Sequence, residues 1–403
     1  MSQLQHIAFC GGGSGGHLIP AIAVAEELLA VDSDTRLLFM TSDRPIDRHI
    51  LETSGLPAQS FDHVPLPLRT STGRMLFAWR CIRSVLQCRR HFQRRRPDIV
   101  IGLGGFASIA GVTAAWLSGI PVVLLEQNTV PGRANRWLRR LAATTFTGWP
   151  LDATWRRKWR TPVVDVGVPL RRVFSDDRIT SVPSAATMST AIGLLVLGGS
   201  QGASRVNSIV VDALSRHNPG DWNLQIVHQT GIDDVDSVRN AYDQAGITAD
   251  VQTFIDDVPQ QLTASTLVIS RSGAVTLAEI AAAGRASVLL PLSTSADDHQ
   301  LHNARYLEAC GAAAVVCEND HDAPLRLAEH LRRLLATGRQ PTSRQEDFDT
   351  PTARGDCERI AGAPNASRAA MESAARSMAP DNAAALIVKS LLQLTDRIAH
   401  SSE

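Results

Sequence analysis

The stretch Ser270-Arg-Ser-Gly-Ala-Val-Thr-Leu-Ala-Glu279 combines a Ser-Gly turn with a carboxylate further along the same segment. It follows the apolar run Thr266-Leu-Val-Ile269 and opens an alanine-rich stretch that ends near Gly284, the pattern of a strand turning into a helix. Such a turn directs free backbone N–H groups and a positive dipole end at whatever lies above it, which suits a diphosphate. Glu279, about two turns on, has the reach to accept hydrogen bonds from the vicinal hydroxyls of a ribose. Downstream, the strand Ala286-Ser-Val-Leu-Leu290 leads to the polar tract Ser295-Ala-Asp-Asp-His-Gln300, where Gln300 is placed to read sugar hydroxyls. The set describes a nucleotide-sugar pocket. Taken singly, a helical glutamate is more commonly a solvated surface group and an Asp-Asp-His-Gln run a plain loop, so the ordered set carries the argument.

A second chemical cluster opens the chain. The short strand Ile7-Ala-Phe-Cys10 runs into Gly11-Gly-Gly-Ser-Gly-Gly16, His17 and Pro20, then an alanine-rich helix to about Ala30. The glycines permit tight turning and close ligand approach, and Pro20 suits a first helical turn. A dinucleotide site would want an acidic residue closing the second strand. Here Arg36-Leu-Leu-Phe-Met40 ends in Thr41-Ser42 with Asp43 just beyond, which weakens an NAD reading. His17 is the side chain in that cradle best suited to titrate near neutrality. Two readings stand for it, a general base or a residue that shapes the loop.

These clusters need scaffolds to hold them, and the length of 403 residues fits two domains. Lys plus Arg equals Asp plus Glu at 40 each, so no charge bias points to nucleic acid. The six cysteines show no Cys-x-x-Cys pair and no histidines at zinc spacing, so reduced thiols are expected and no metal site. The first residues lack a basic segment with a following apolar core, so no export signal is expected. Ile99 to Leu125 carries no charge until Glu126, but its glycines and Pro121 divide it into strand, turn, helix and strand, a buried βαβ unit.

The second half repeats the first. Ile192-Gly-Leu-Leu-Val-Leu197, Gly198-Gly-Ser-Gln-Gly202 and a helix from Asn207 to Leu214 match the opening strand, glycine turn and helix, and the Ile99 to Asn128 unit matches Leu267 to Gln300. The repetition predicts an α/β fold of two doubly wound, Rossmann-like domains facing across a cleft between their carboxyl edges. Expected boundaries are 1–170 for the first domain and 171–380 for the second, with helices from 381–403 packing back on the first. Asp176 to Ala191 reads as a linker, and about 338–363 as a flexible insertion. A basic helix from Arg74 to about Arg96 carries Met75, Leu76, Phe77, Trp79, Ile82, Val85 and Leu86. It reads either as an amphipathic helix packed on the sheet or as an interfacial face for anionic lipid. Trp149 to Arg160 is a second basic aromatic stretch, most simply solvated surface.

Taken together, the chain resembles the MurG family of inverting N-acetylglucosaminyltransferases. The residues that carry the resemblance are Gly12-Gly-Ser-Gly-Gly-His17 with Pro20, Gly104-Gly-Phe-Ala-Ser108, Glu126-Gln-Asn128 with Pro131-Gly132 and Asn135-Arg136, Gly198-Gly-Ser-Gln-Gly-Ala203, Phe254-Ile-Asp-Asp257, Ser270 to Gly284, and Asp297-Asp-His-Gln300. The resemblance implies the GT-B architecture and transfer of N-acetylglucosamine from UDP-N-acetylglucosamine to undecaprenyl-linked lipid I, giving lipid II for peptidoglycan. It implies a peripheral enzyme on an anionic membrane, at the cytoplasmic face of the inner membrane, without cofactor or metal. It implies donor contacts from Ser14, Gly15, Gly16, Asn128, Arg171, Ser200, Ile255, Ala274, Val275, Thr276, Leu277, Ala278, Glu279 and Gln300, and places the family's general base on His17. Departures are Ser14 for Thr, Leu125 for His, Val168 for Asn in the Gly-Asn-Pro turn, and the extra segment 338–363. Rival readings are a diacylglycerol galactosyltransferase, a nucleotide-sugar 2-epimerase and a non-enzymatic nucleotide-binding protein.

Overall fold

The computed structural model describes residues 4–13, 15–42, 44–60, 71–175, 191–198, 202–216, 222–336, 366–379 and 381–400. Ser14, Ser200, the expected linker core and the expected 338–363 insertion therefore lie outside the described residues, as do the side chains of residues 71–78. The chain divides into two units, Met1–Arg172 with Pro380–Glu403, and Val173–Ala379.

The first unit alternates strand and helix: β1 (His6–Gly11), α1 (Gly15–Val31), β2 (Arg36–Thr41), α2 (Pro45–Ser54), β3 (Ala58–Ser60), α3 (Ser71–Arg94), β4 (Ile99–Gly104), α4 (Ala107–Leu117), β5 (Val122–Glu126), α5 (Arg133–Leu138), β6 (Thr144–Thr147), α6 (Ala153–Lys158) and β7 (Val163–Asp165). The sheet order is β3-β2-β1-β4-β5-β6-β7, with every described pairing parallel. Winding runs outward from β1 to β3, then returns to β4 and runs the other way. Such reversal leaves a crevice at the carboxyl ends of β1 and β4, where α/β ligands bind. Both faces of the sheet are covered, so its central strands are apolar throughout: Ile7, Phe9, Ile101 and Leu103 face one core, and Ala8, Cys10 and Val100 the other. Phe9 and Phe39 stack across β1 and β2 with centroids 4.6 Å apart.

The second unit repeats the plan with β8 (Ile192–Leu197), α7 (Ser204–Ser215), β9 (Leu224–Gln229), α8 (Val235–Gln244), β10 (Ala249–Gln252), α9 (Val258–Ala264), β11 (Leu267–Ser270), α10 (Ala274–Ala282), β12 (Ala286–Leu289), α11 (His299–Ala309), β13 (Ala314–Val315), α12 (Ala323–Leu335) and α13 (Arg368–Ser377). Its parallel order, β10-β9-β8-β11-β12-β13, puts the reversal at β8 and β11. The last helix, α14 (Ala383–His400), belongs to the first unit and buries Ala384, Ile387, Val388 and Leu391 in the same core as Leu18, Ala21 and Ala25 of α1. These positions recur at helical spacing, so one stripe of α14 faces the core.

Two expectations change in detail. α1 begins at Gly15, so Pro20 falls in its second turn rather than its first and supplies no N–H to the Gly16 carbonyl. In the Trp149 to Arg160 stretch, Trp149 and Trp159 are buried, and the Trp159 Nε1–H donates to Thr145 Oγ1 at 3.1 Å. Trp155 is half-buried and stacked by charge: Arg136 lies 4.3 Å and Lys158 5.2 Å from its ring centroid. The stretch is thus partly a structural clasp rather than plain solvated surface. Among the described residues no helix is long and apolar enough to cross a membrane.

Candidate active site

At the β1/β4 crevice, the first glycine turn is shaped by a buried carboxylate. Asp47, in the first turn of α2, accepts from the Gly13 N–H at 2.9 and 2.8 Å through its two oxygens, and from Ser42 Oγ at 2.5 Å. A Cβ on Gly12 would lie 2.6 Å from Asp47 Oδ2, and its φ is +149°, so only glycine fits there. Arg44 donates to the Gly13 carbonyl at 3.2 Å from the other side. The turn is thereby held as it enters α1, whose first residues are Gly15, Gly16 and His17.

His17 lies over the second glycine turn. A Cβ on Gly104 would sit 3.1 Å from His17 Cε1, and one on Gly105 would sit 3.6 Å from His17 Nε2. The missing side chains are what let the imidazole approach. Beside it the end of β5 is organised by Glu126, which is 2 % exposed. Its Oε1 accepts from the backbone N–H and side-chain Nδ2 of Asn128 at 3.0 and 3.1 Å, and its Oε2 from Gly132 N–H at 2.8 Å and Asn135 Nδ2 at 3.0 Å. The same Asn135 Nδ2 also donates to Leu125 O at 2.9 Å. Asn135 is in turn 3.3 Å from the position a Gly104 Cβ would take, so His17, Gly104, Asn135, Glu126 and Asn128 form one polar edge. Arg171 belongs to the first unit, with its Nε buried and unpaired.

In the second unit, Ser272 follows β11 and fixes the next loop: its Oγ donates to the Gln300 carbonyl at 2.7 Å, while Asn303 Nδ2 donates to the Ser272 carbonyl at 3.3 Å. Gln300 Oε1 accepts from Leu292 N–H at 3.0 Å, leaving its Nε2 as a donor. Gly273 precedes α10 without a side-chain cap, and a Cβ there would meet only Thr276 Oγ1, at 3.9 Å. The first turn of α10 is the positive end of the helix dipole, which suits an anion. Ala274, Val275, Leu277, Ala278 and Glu279 are buried. Ile255 is buried after β10, with its neighbour Phe254 exposed. Within the tract before α11, Asp297 and Asp298 both adopt positive φ, 53° and 51°, a conformation Asp tolerates better than most residues.

Two groups here carry no role in the sequence reading. Arg271 Nη1 pairs with Glu318 Oε2 at 2.6 Å and donates to the Leu290 carbonyl at 3.1 Å. Burial alone would push the Glu318 carboxyl up, but the Ser293 N–H and Arg271 outweigh it and hold it below the usual carboxylate range. The pair ties the segment after β13 to the start of α10, and both partners also hold the loop after β12, Arg271 through the Leu290 carbonyl and Glu318 through the Ser293 N–H. Asp47 is the other. Its only sequence signal is an acidic residue two positions after Pro45 at a helix start.

Comparisons with known proteins give the family. The description "Glycosyltransferase family 28 N-terminal domain" matches residues 7–147, and "Glycosyltransferase family 28 C-terminal domain" matches residues 193–355. A relative from Anaeromyxobacter sp. (strain K), named UDP-N-acetylglucosamine--N-acetylmuramyl-(pentapeptide) pyrophosphoryl-undecaprenol N-acetylglucosamine transferase, is 35% identical over 90% of this chain and 89% of its own. One of the same name from Syntrophus aciditrophicus is 37% identical over 78% of this chain and 85% of its own. The crystal structure of Acinetobacter baumannii MurG aligns with a TM-score of 0.71 at 25% identity, covering 96% of this chain and 99% of that one. With its two parallel-sheet units in GT-B architecture, the chain belongs to glycosyltransferase family 28, among the MurG-type N-acetylglucosaminyltransferases.

Proposed function

We propose that this chain transfers N-acetylglucosamine from UDP-N-acetylglucosamine to the C4 hydroxyl of the N-acetylmuramoyl residue of undecaprenyl-linked lipid I, giving lipid II. The observation that carries this reading is the match, over 90% of the chain, to a relative named for that transfer. The donor site is assigned to the carboxyl edge of the second unit, where the dipole end at the start of α10 takes the diphosphate. Ser14, Gly15, Gly16, Asn128, Arg171, Ser200, Ile255, residues 274–279 and Gln300 contact the donor, Glu279 through the ribose. The reaction is a single displacement: the acceptor oxygen bonds to the anomeric carbon, the bond to the diphosphate breaks, and UDP leaves. His17 takes the hydroxyl proton, and the α10 dipole and N–H groups stabilise the departing charge. The α-linked donor gives a β product.

The lipid-linked acceptor calls for membrane contact, assigned here to α3 and α4. Trp79, Ile82 and Leu86 recur on one face of α3 and are 56, 60 and 47 % exposed; Trp116 and Leu117 of α4 are 52 and 47 % exposed. The two helices pack together, and Arg80, Arg83, Arg89 and Arg90 add positive charge to α3. An apolar patch with basic neighbours suits an anionic lipid surface at the cytoplasmic face of the inner membrane. Offering the enzyme UDP-N-acetylglucosamine with a lipid I analogue or with diacylglycerol tests the reading. Turnover is expected with the lipid I analogue alone; glycosylated diacylglycerol would overturn it.

A further inference from the structure

Beneath the carboxyl edge of the second unit lies a closed polar chain that the displacement does not use. His228 on β9, Asn207 in the first turn of α7 and Tyr242 on α8 are 0, 2 and 1 % exposed. Asn207 Nδ2 donates to the Thr230 carbonyl at 3.1 Å and to Asp234 Oδ2 at 2.9 Å. Both partners are acceptors, which fixes the orientation of the amide and makes Oδ1 the acceptor facing His228 Nε2 at 3.1 Å. His228 is then the neutral tautomer with its proton on Nε2, and its Nδ1 accepts from the Tyr242 hydroxyl at 2.9 Å.

Thr230 is the anchor for the glycine turn after β8. Gly198 N–H donates to Gln229 O at 3.1 Å, and a Cβ on Gly198 would lie 2.9 Å from that carbonyl and 3.6 Å from Asn207 Oδ1. At the far end of the turn, a Cβ on Gly202 would lie 3.2 Å from the Thr230 carbonyl and 3.6 Å from Gly231 Cα. Both ends of the turn therefore rest on the strip 229–231, and the Asn207 amide holds the carbonyl at its centre. The strip is stitched onward by Thr230 N–H to Gln252 O at 2.9 Å and Gly231 N–H to Thr253 O at 3.2 Å.

We propose that Asn207, oriented by His228 and Tyr242, is a positioning residue for the donor diphosphate, holding the strip 229–231 on which Gly198 and Gly202 rest at the β8/β11 switch point. The proposal rests on the donor site lying at this edge. It separates binding of donor from the chemistry at the acceptor, because the chain meets Gly198 and the Thr230 carbonyl and no reacting atom.

The test uses His228→Phe, His228→Gln and Tyr242→Phe in the full-length enzyme. Gln places an N–H donor where Nε2 stood, whereas Phe fills the volume and removes it. His228→Phe should raise the donor KM and the UDP Kd about tenfold, the cost of one buried hydrogen bond. kcat at saturating donor and the acceptor KM should stay within about twofold, since the lost interaction is uniform binding. His228→Gln should recover most of the UDP affinity. A lowered Tm with parental UDP Kd and donor KM would make the chain a plain core network and overturn the proposal. Should His228→Phe fail to fold, Tyr242→Phe carries the same readouts, with a rise of severalfold expected and parental values contradicting the proposal. Calorimetry of UDP with the parent, with hydrogen exchange over Gly198, Gly202 and Thr230, separates the two levels. A parent that binds UDP without protecting these residues refutes the donor-site assignment itself.

Discussion

Gly12 and Asp47 show how one residue's type is dictated by another's position. The carboxylate that holds the turn lies 34 residues further along the chain, so the glycine run was legible in the sequence and its clamp was not. His17 was legible for a different reason: it adjoins a run of glycines in sequence, and the side-chain-free surface it covers, Gly104–Gly105, is itself a visible glycine turn. What it does is settled by kinetics. His17→Ala should lower kcat by about 10²–10⁴-fold with little change in donor KM, because a general base acts in the transition state. The acid limb of the kcat/KM profile should vanish with it, since a protonated imidazole accepts no proton. A variant with weakened UDP binding and an intact acid limb would show that His17 shapes the loop instead.

At the scale of elements, the strands and the helices that follow glycine turns were readable from apolar runs broken by glycine. α10 starts where the Ser-Gly turn predicted, with Gly273 as its N-cap. α1 starts ahead of the turn that Pro20 suggests, because Gly15 and Gly16 already adopt helix. The Arg271–Glu318 tie was not readable, because its partners lie on separate elements brought together only by the sheet order. The α3/α4 face makes its own prediction. Replacing Trp79 and Trp116 by Ser should weaken co-sedimentation with anionic vesicles by about tenfold or more, each large apolar side chain contributing roughly 1.5–3 kcal/mol when buried. Activity on a water-soluble acceptor should be retained; equal sedimentation of variant and parent would return the face to ordinary surface.

The β9/α8 layer carries a pH signature. Burial lowers the pKa of His228 to about 4, against an ordinary value of 6.5. Below pH 6.5 the unfolded chain binds this proton and the folded one does not, so stability is full above that value and falls as pH drops toward 4. The contribution of this one group is on the order of 3 kcal/mol at its limit. His228→Gln removes the titration, so the parent should lose more stability than the variant between pH 7 and pH 4 in urea unfolding of the second unit. Parallel pH slopes for the two proteins would show that His228 titrates normally.

For the whole molecule, the fold was legible because the chain states its plan twice: an apolar strand, a glycine turn and a helix at Ile7 and again at Ile192. Parallel order follows from that alternation, since each helix must cross over to bring the next strand into register. The reversal of winding at β1/β4 and β8/β11 then puts the glycine turns at the switch points, with no further instruction from the sequence. The account as a whole stands on transfer that needs both substrates. UDP release from UDP-N-acetylglucosamine, followed with and without a lipid I analogue, tests it most directly. Release should depend on the acceptor and match disaccharide product one for one. Equal UDP release without acceptor, or conversion of the donor to its 2-epimer, would contradict it.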